Sequence, residues 1–224
     1  MKPILFNTEM VRAIRAGHKT VTRRVVKPRY CDSVFEMVRG ELCEASPYKP
    51  PIDNGDGTTT RFVRQFVPCK PLYRPGSILY VRETWQYGFG GTYLYKASAG
   101  HDLFMTADGK LVSDIPWRPS IHMPREAARI FLLVTDVRVE RLQDITELDI
   151  LEREGVTVDF PQPKPSYMSL AYTETRLKPA VRKSFADLWD STIKPADRDL
   201  YGWVANPWVW VISFDRISRE EANP

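Results

Sequence analysis

Ala128-Arg129-Ile130-Phe131-Leu132-Leu133-Val134-Thr135-Asp136-Val137-Arg138-Val139-Glu140-Arg141 is the strongest long strand signal in the chain. Ile130, Leu132 and Val134 alternate with Arg129, Phe131 and Leu133, so its first half is largely apolar on both faces, as in a strand buried within a sheet. Before it, Trp117-Arg118-Pro119-Ser120-Ile121-His122-Met123-Pro124-Arg125 has two prolines and no period, and reads as an ordered loop. After it, Asp144-Ile145-Thr146-Glu147 carries a capping signature. The helix this opens runs through Leu148, Ile150 and Leu151 to Glu154 and stops at Gly155.

Further strands are expected on both sides of this element. Pro3 to Asn7 reads as a short strand, and Thr8 as the cap of a helix that buries Val11, Ile14 and Met10 and ends at Gly17. Pro75-Gly76 turns into a strand from Ser77 to Glu83, and Trp85-Gln86-Tyr87 passes through a Gly88 to Gly91 loop into Thr92 to Lys96. A helix near Ala180 to Asp190 carries Phe185, Leu188 and Trp189 inward, and Trp208 to Ile217 is the closing strand. Two stretches read as insertions, one at about 27–75 that is rich in proline, glycine and charge, and one at about 156–179 that holds three closely spaced prolines. The first holds the Asn54-Gly55-Asp56-Gly57 turn and one strand of a hairpin at Arg61 to Val67, and the second is an insertion or a lid. Strands outnumber helices and their connections are irregular. The fold class expected is therefore α+β: one domain over 1–224, a small, mostly antiparallel β-barrel flanked by two or three helices, with long loop insertions.

Composition sets the limits on function. The 224 residues are 43% hydrophobic and 12% aromatic, enough for one substantial core. Thirty-two basic against 28 acidic residues leave a formal charge of +4, so anionic partners are permitted and not demanded. Cys31, Cys43 and Cys69 are an odd set without paired spacing, which favours a reducing compartment over a disulfide framework. The start has too short an apolar run for a signal peptide, and no stretch approaches the ~20 apolar residues of a membrane span. A cytoplasmic location is the expectation, with no membrane partner.

Chemistry concentrates in Gly17-His18-Lys19-Thr20-Val21-Thr22-Arg23-Arg24, where a helix hands over to a strand. Its apolar positions are too sparse for a core element. A lysine near a threonine hydroxyl is one of the few arrangements that activates a weak oxygen nucleophile without histidine or metal. Strand parity puts Thr20, Thr22 and Arg24 on one face and Val21, Arg23 and Val25 on the other, so Lys19 has to reach Thr22 from the turn.

Together with the Pro75-Gly76-Ser77 turn into Val81-Arg82-Glu83-Thr84-Trp85, and the helix from Thr146-Glu147 to Glu154-Gly155, this motif resembles the ASCH domain family in order and spacing. The family's fold is a PUA-like β-barrel. The Ile4-Leu5-Phe6-Asn7-Thr8 start and the Asn206-Pro207-Trp208-Val209-Trp210 ending resemble its longer phage-associated members, with the two insertions unmatched. A small bacterial member is an amidohydrolase that removes the acyl group from N4-acetylcytidine through a lysine, a threonine three residues later and a glutamate from a later helix. The resemblance implies those roles for Lys19, Thr22 and Glu154, with Glu152 as the weaker choice of acid.

The implied chemistry is internally consistent. Lys19, its pKa lowered by hydrophobic walls, would take the Thr22 proton, Glu154 would protonate the departing amine or position water, and Arg24 would polarise the carbonyl or hold the base. Trp85 and Trp117 are candidates to stack a pyrimidine, with Arg82 or Glu83 bonding its edge. Trp189, Trp208 and Trp210 are assigned to packing. No cofactor is implied: a zinc deaminase needs His-x-Glu and Pro-Cys-x-x-Cys, but His18, His101 and His122 are followed two places on by Thr20, Leu103 and Pro124, and Pro68-Cys69 by Leu72. P-loop, dinucleotide and serine-hydrolase motifs are also missing. The partner expected is a small nucleoside or nucleobase. The alternative is an RNA-binding PUA-like module, for a modified base or for RNA cleavage, with Lys19, Arg23, Arg24, Arg82 and Arg125 on phosphates.

Overall fold

A computed structural model describes residues 1–29, 34–46, 49–61, 63, 65–99, 104–156 and 177–222. β1 (Lys2–Leu5) leads into α1 (Thr8–Arg15) and β2 (Val21–Val25). β3 (Val34–Val38), β4 (Glu41–Ala45), β5 (Ile52–Asp53), β6 (Thr59–Thr60) and β7 (Phe66–Pro68) occupy the first insertion. The chain continues through β8 (Ile78–Arg82), a hairpin of β9 (Trp85–Tyr87) and β10 (Tyr93–Tyr95), a second of β11 (Phe104–Met105) and β12 (Leu111–Val112), then β13 (Phe131–Arg141). α2 (Glu147–Arg153), α3 (Lys178–Thr192) and β14 (Trp208–Ile217) follow. The molecule is α+β, as expected. Among the described residues no helix is long and apolar enough to cross a membrane. The lid expected at 156–179 falls mostly outside the described residues, as does Cys31.

Five strands form the central sheet in the order β1-β8-β13-β14-β2, with β1 parallel to β8 and the other pairs antiparallel. The long apolar run at 128–141 is central, as its two-faced pattern requires, but the strand begins only at Phe131 because Arg125–Ala127 form a tight helical turn. The expected barrel is not closed: backbone pairing ends at β1 and β2. Yet Arg24 of β2 donates from Nη2 to the carbonyl of Leu5 at 2.7 Å, which joins the two edges. In a flat sheet, four spacings of about 4.8 Å would separate the edge strands by about 19 Å, beyond the reach of an arginine. The sheet therefore curls until a side chain spans the remaining gap.

Two helix layers cover the sheet. Ile212 and Phe214 of β14 pack with Ile4, Phe6, Leu79, Leu132 and the α1 residues Val11 and Ile14. Val209 and Val211, of opposite parity, pack with Val21, with Ile150 of α2 and with Val181, Phe185 and Trp189 of α3. The cap of α1 is Asn7, not Thr8: the Asn7 backbone is extended and its side chain accepts the Met10 N–H at 2.8 Å. Thr146 caps α2 as expected, accepting the Asp149 N–H at 3.1 Å. In the first insertion the 54–57 turn does join a hairpin, β5 to β6, whereas among the described residues of 61–67 only Phe66 and Val67 are in a strand, at the start of β7, which pairs with β4.

Gly155 fixes how α2 meets α1. It has φ of +68°, and a Cβ there would lie 2.5 Å from the Cβ of Ala13 and 3.3 Å from that of Lys19. Strain and overpacking therefore act together in Gly155→Ala, which should lose about 2–4 kcal/mol. Urea unfolding measures this, and an unchanged midpoint would show that the two helix ends are free to separate.

Candidate active site

The ends of α1 and α2 are joined through their backbones. After Gly17, at φ +81°, the N–H groups of His18 and Lys19 both return to the Ala13 carbonyl. Lys19 then forms an isolated antiparallel bridge with Glu154, and the Thr20 N–H donates to the Arg153 carbonyl at 3.0 Å. Glycine at 17 and 155 lets both helices stop abruptly enough for this contact.

This contact places an ion pair in the interior. Lys19 Nζ donates to Glu154 Oε2 at 2.6 Å and to the Glu154 carbonyl at 3.3 Å. The other carboxylate oxygen accepts from Arg23 Nη1. Arg23 also donates from Nη2 and Nε to Glu140 Oε1, at 2.8 and 3.2 Å, and Glu140 Oε2 accepts from Arg138 Nε at 3.3 Å. The Lys19 and Arg23 side chains are each 1% exposed and that of Glu154 is 4% exposed, so the carboxylate is compensated by protein cations and not by water. Burial holds the Lys19 pKa below its usual value despite the opposing pull of Glu154, and the Arg24 and Arg23 charges add to the lowering.

These groups line a cavity of about 420 Å³. Lys19, Thr22, Arg23, Arg24 and Glu154 form one wall. Leu5, Phe6, Asn7 and Met10 form a second, Thr84, Pro119 and Ser120 a third, and Phe185, Leu188, Trp189, Ser191 and Thr192 of α3 the last. Thr22 is buried and its hydroxyl has no hydrogen-bond partner among the described residues. The guanidinium of Arg24 lies 5.4 Å from the Phe6 ring centre. The cavity opens where the curled sheet fails to close, so residues of both parities on β2 reach it.

The structure thus brings together Lys19, Thr22, Glu154 and Arg24, and it leaves Glu152 exposed on the outer face of α2. The four other expected substrate contacts lie elsewhere. Glu83 is buried against Arg129, which donates to both its oxygens at 2.8 Å. Trp85 is 1% exposed within a small core with Met123 and Phe131, because its strand faces inward at that position. Arg82 donates to the Ile121 carbonyl at 3.1 Å, and the half-buried Trp117 does not reach the cavity wall. Aromatic walls are supplied instead by Phe6, Phe185 and Trp189, the last of which was expected only to pack. Glu140 was missed as well, though its place on β13 was legible: Arg23 and Arg138 both register against Val211 of β14, and Glu140, registered against Val209, follows two residues on from Arg138.

Among the described residues no group of three or more His, Cys, Asp or Glu is gathered as metal ligands would be. No family model, no curated protein and no solved structure matches this chain.

Removing the carboxylate leaves the buried Lys19 without a counterion and Arg23 with Glu140 alone, which costs about 3–5 kcal/mol. Glu154→Gln should therefore lower the melting temperature by about 10 °C. The exposed neighbour change Glu152→Gln should shift it by less than about 2 °C. Equal melting temperatures for the two variants would contradict the compensated ion pair.

Proposed function

We propose that the protein is a metal-independent amidohydrolase that removes the acyl group from N4-acylated cytosine compounds such as N4-acetylcytidine, on a PUA-like ASCH fold whose barrel is this curled sheet. The observation that carries the reading is the buried Lys19–Glu154 pair beside the unengaged Thr22 hydroxyl in one cavity. The cavity volume falls within the range of small-molecule sites, and its aromatic walls suit a flat ring.

In this mechanism the neutral Lys19 amine takes the Thr22 proton as the hydroxyl oxygen attacks the acyl carbonyl. Arg24 stabilises the developing oxyanion. As the tetrahedral intermediate collapses, the bond between the acyl carbon and N4 breaks and the proton passes from Lys19 to the departing cytosine amine, leaving an ester on Thr22. Water, deprotonated by Lys19, then cleaves the ester, releasing the carboxylic acid and restoring the threonine. Glu154 holds the lysine in place and supports its charged form between the two proton transfers. Arg23 and Glu140 keep that carboxylate oriented.

The RNA-binding alternative uses Lys19, Arg23, Arg24, Arg82 and Arg125 as phosphate contacts. Of these, Lys19 and Arg23 already serve the carboxylates of Glu154 and Glu140, which a phosphate would have to displace.

Ultraviolet detection of cytidine release from N4-acetylcytidine tests the proposal. Lys19→Ala and Thr22→Ala should each lower kcat/KM by at least about 10²-fold, since each removes a group that acts in the bond-forming step. A folded variant that keeps wild-type turnover would refute its residue's role, and no turnover by the unaltered protein would refute the activity.

A pH profile tests the base independently. Activity requires the neutral amine, so kcat/KM should rise with pH through a midpoint below the usual lysine value of 10.5, because burial lowers it. Glu154 raises the Lys19 pKa, so Glu154→Gln should move that midpoint to lower pH even as the maximal rate falls. A midpoint that moves upward, or stays where it was, would exclude Lys19 as the titrating base.

A further inference from the structure

A second cavity, of about 470 Å³, adjoins the first across the gap in the sheet. Leu5 and Arg24 belong to both, so the Arg24–Leu5 strut is a shared partition. Trp210, directly opposite Arg24 in the β14–β2 register, forms its floor with Ile4 and Ile212, and Pro71 and Leu72 form an apolar side. The rim is basic, with Arg24, Lys27, Arg29 and Lys70 against one acid among the described residues, Glu44. Glu44 is engaged locally, accepting the Arg29 backbone N–H at 2.6 Å, with the Arg29 side chain 4.0 Å away. Lys27 and Lys70 are exposed and have no acidic partner among the described residues, and Arg24 bonds only a carbonyl.

An apolar slot with an indole on its floor and uncompensated cations on its rim suits a ligand that is a flat ring at one end and an anion at the other. A nucleotide has that form. The shared position of Arg24 sets the spacing, because an anion there is within reach of ligands in both cavities.

We propose that the second cavity is a nucleotide subsite, which receives the base of the residue next to the acylated cytosine while the linking phosphate lies against Arg24, Lys27 and Lys70. The substrate class is then a short single strand and not a free nucleoside. This rests on the reading of the first cavity given above. Much of the slot belongs to the first insertion, so that segment completes a second site and does more than decorate the barrel.

The test compares N4-acetylcytidine, its monophosphates and dinucleotides that carry it next to adenosine, with the unaltered protein and the Lys27→Ala/Lys70→Ala double variant. Charge-assisted phosphate contacts and one stacked base should raise kcat/KM for a dinucleotide by at least about tenfold over the nucleoside. The monophosphates should gain less, and the double variant should treat dinucleotide and nucleoside nearly alike. Equal kcat/KM for dinucleotide and nucleoside with the unaltered protein would overturn the subsite, as would a gain supplied in full by a monophosphate.

A binding measurement keeps the subsite separable from the chemistry. Quenching of tryptophan fluorescence by unacylated cytidylyl-adenosine should show tighter binding than cytidine, weakened by added salt and by the double variant. If no acylated cytosine compound is hydrolysed but this difference persists, the amidohydrolase reading fails and the subsite stands. Equal binding of the dinucleotide and cytidine would remove the subsite whatever the chemistry.

Discussion

A buried carboxylate must be compensated, and in this molecule the compensation of Glu154 determines what surrounds it. Its two oxygens take Lys19 from the end of α1 and Arg23 from β2. Neither cation could be buried alone. Arg23 carries more donors than Glu154 can accept, and Glu140 of β13 takes the remainder. The network ties together a helix end, an edge strand and the central strand, and it fixes the angle at which α2 packs beside the sheet. Gly155 lets the backbones come close enough for the network to exist.

The same compensation bears on reactivity. A lysine matched only to a carboxylate would stay charged and be of little use as a base. Here the desolvated site and the Arg23 and Arg24 charges work against the ammonium, while Glu154 works for it, and the lowering prevails. The neutral amine is therefore easier to reach than in an exposed lysine, which the proposed proton transfers require. In the proposed mechanism, stability and proton transfer thus draw on one set of contacts.

Local signals in the chain disclosed much of the fold. A run apolar on both faces located β13, the closing strand was read at Trp208 to Ile217 where β14 lies, and the capping residue Thr146 with Gly155 bracketed α2. The motif at 17–24 led to Lys19, Thr22 and Arg24, and the resemblance to a known family led to Glu154. What stayed hidden depends on tertiary placement. Trp85 sits in an aromatic-rich, loop-flanked stretch that reads as a binding surface, yet its strand turns it inward. Trp189 lies at ordinary helical core spacing, and only the approach of α3 to the sheet edge puts it on a cavity wall. Glu140 ends an alternating strand like any solvated acid, and its role appears only when the register sets Arg23 and Arg138 across Val211. Sheet closure was equally out of reach, because whether the last gap is spanned by a backbone ladder or by Arg24 depends on curvature.

The Lys19–Glu154 contact spans 135 residues of sequence. Loop closure over that distance is entropically unfavourable and cannot be rewarded until both ends exist. On a growing chain the first half of the site is therefore made long before its counterion, and Lys19 and Arg23 stay hydrated for as long as Glu154 has yet to be synthesised. β1 finds its parallel partner β8 much earlier, so the apolar sheet is able to begin assembling while the charged seam waits. β2 pairs only with β14, which follows Glu154 in the chain, so the charged seam and the sheet edge beside it are completed together, after the strands that start the sheet.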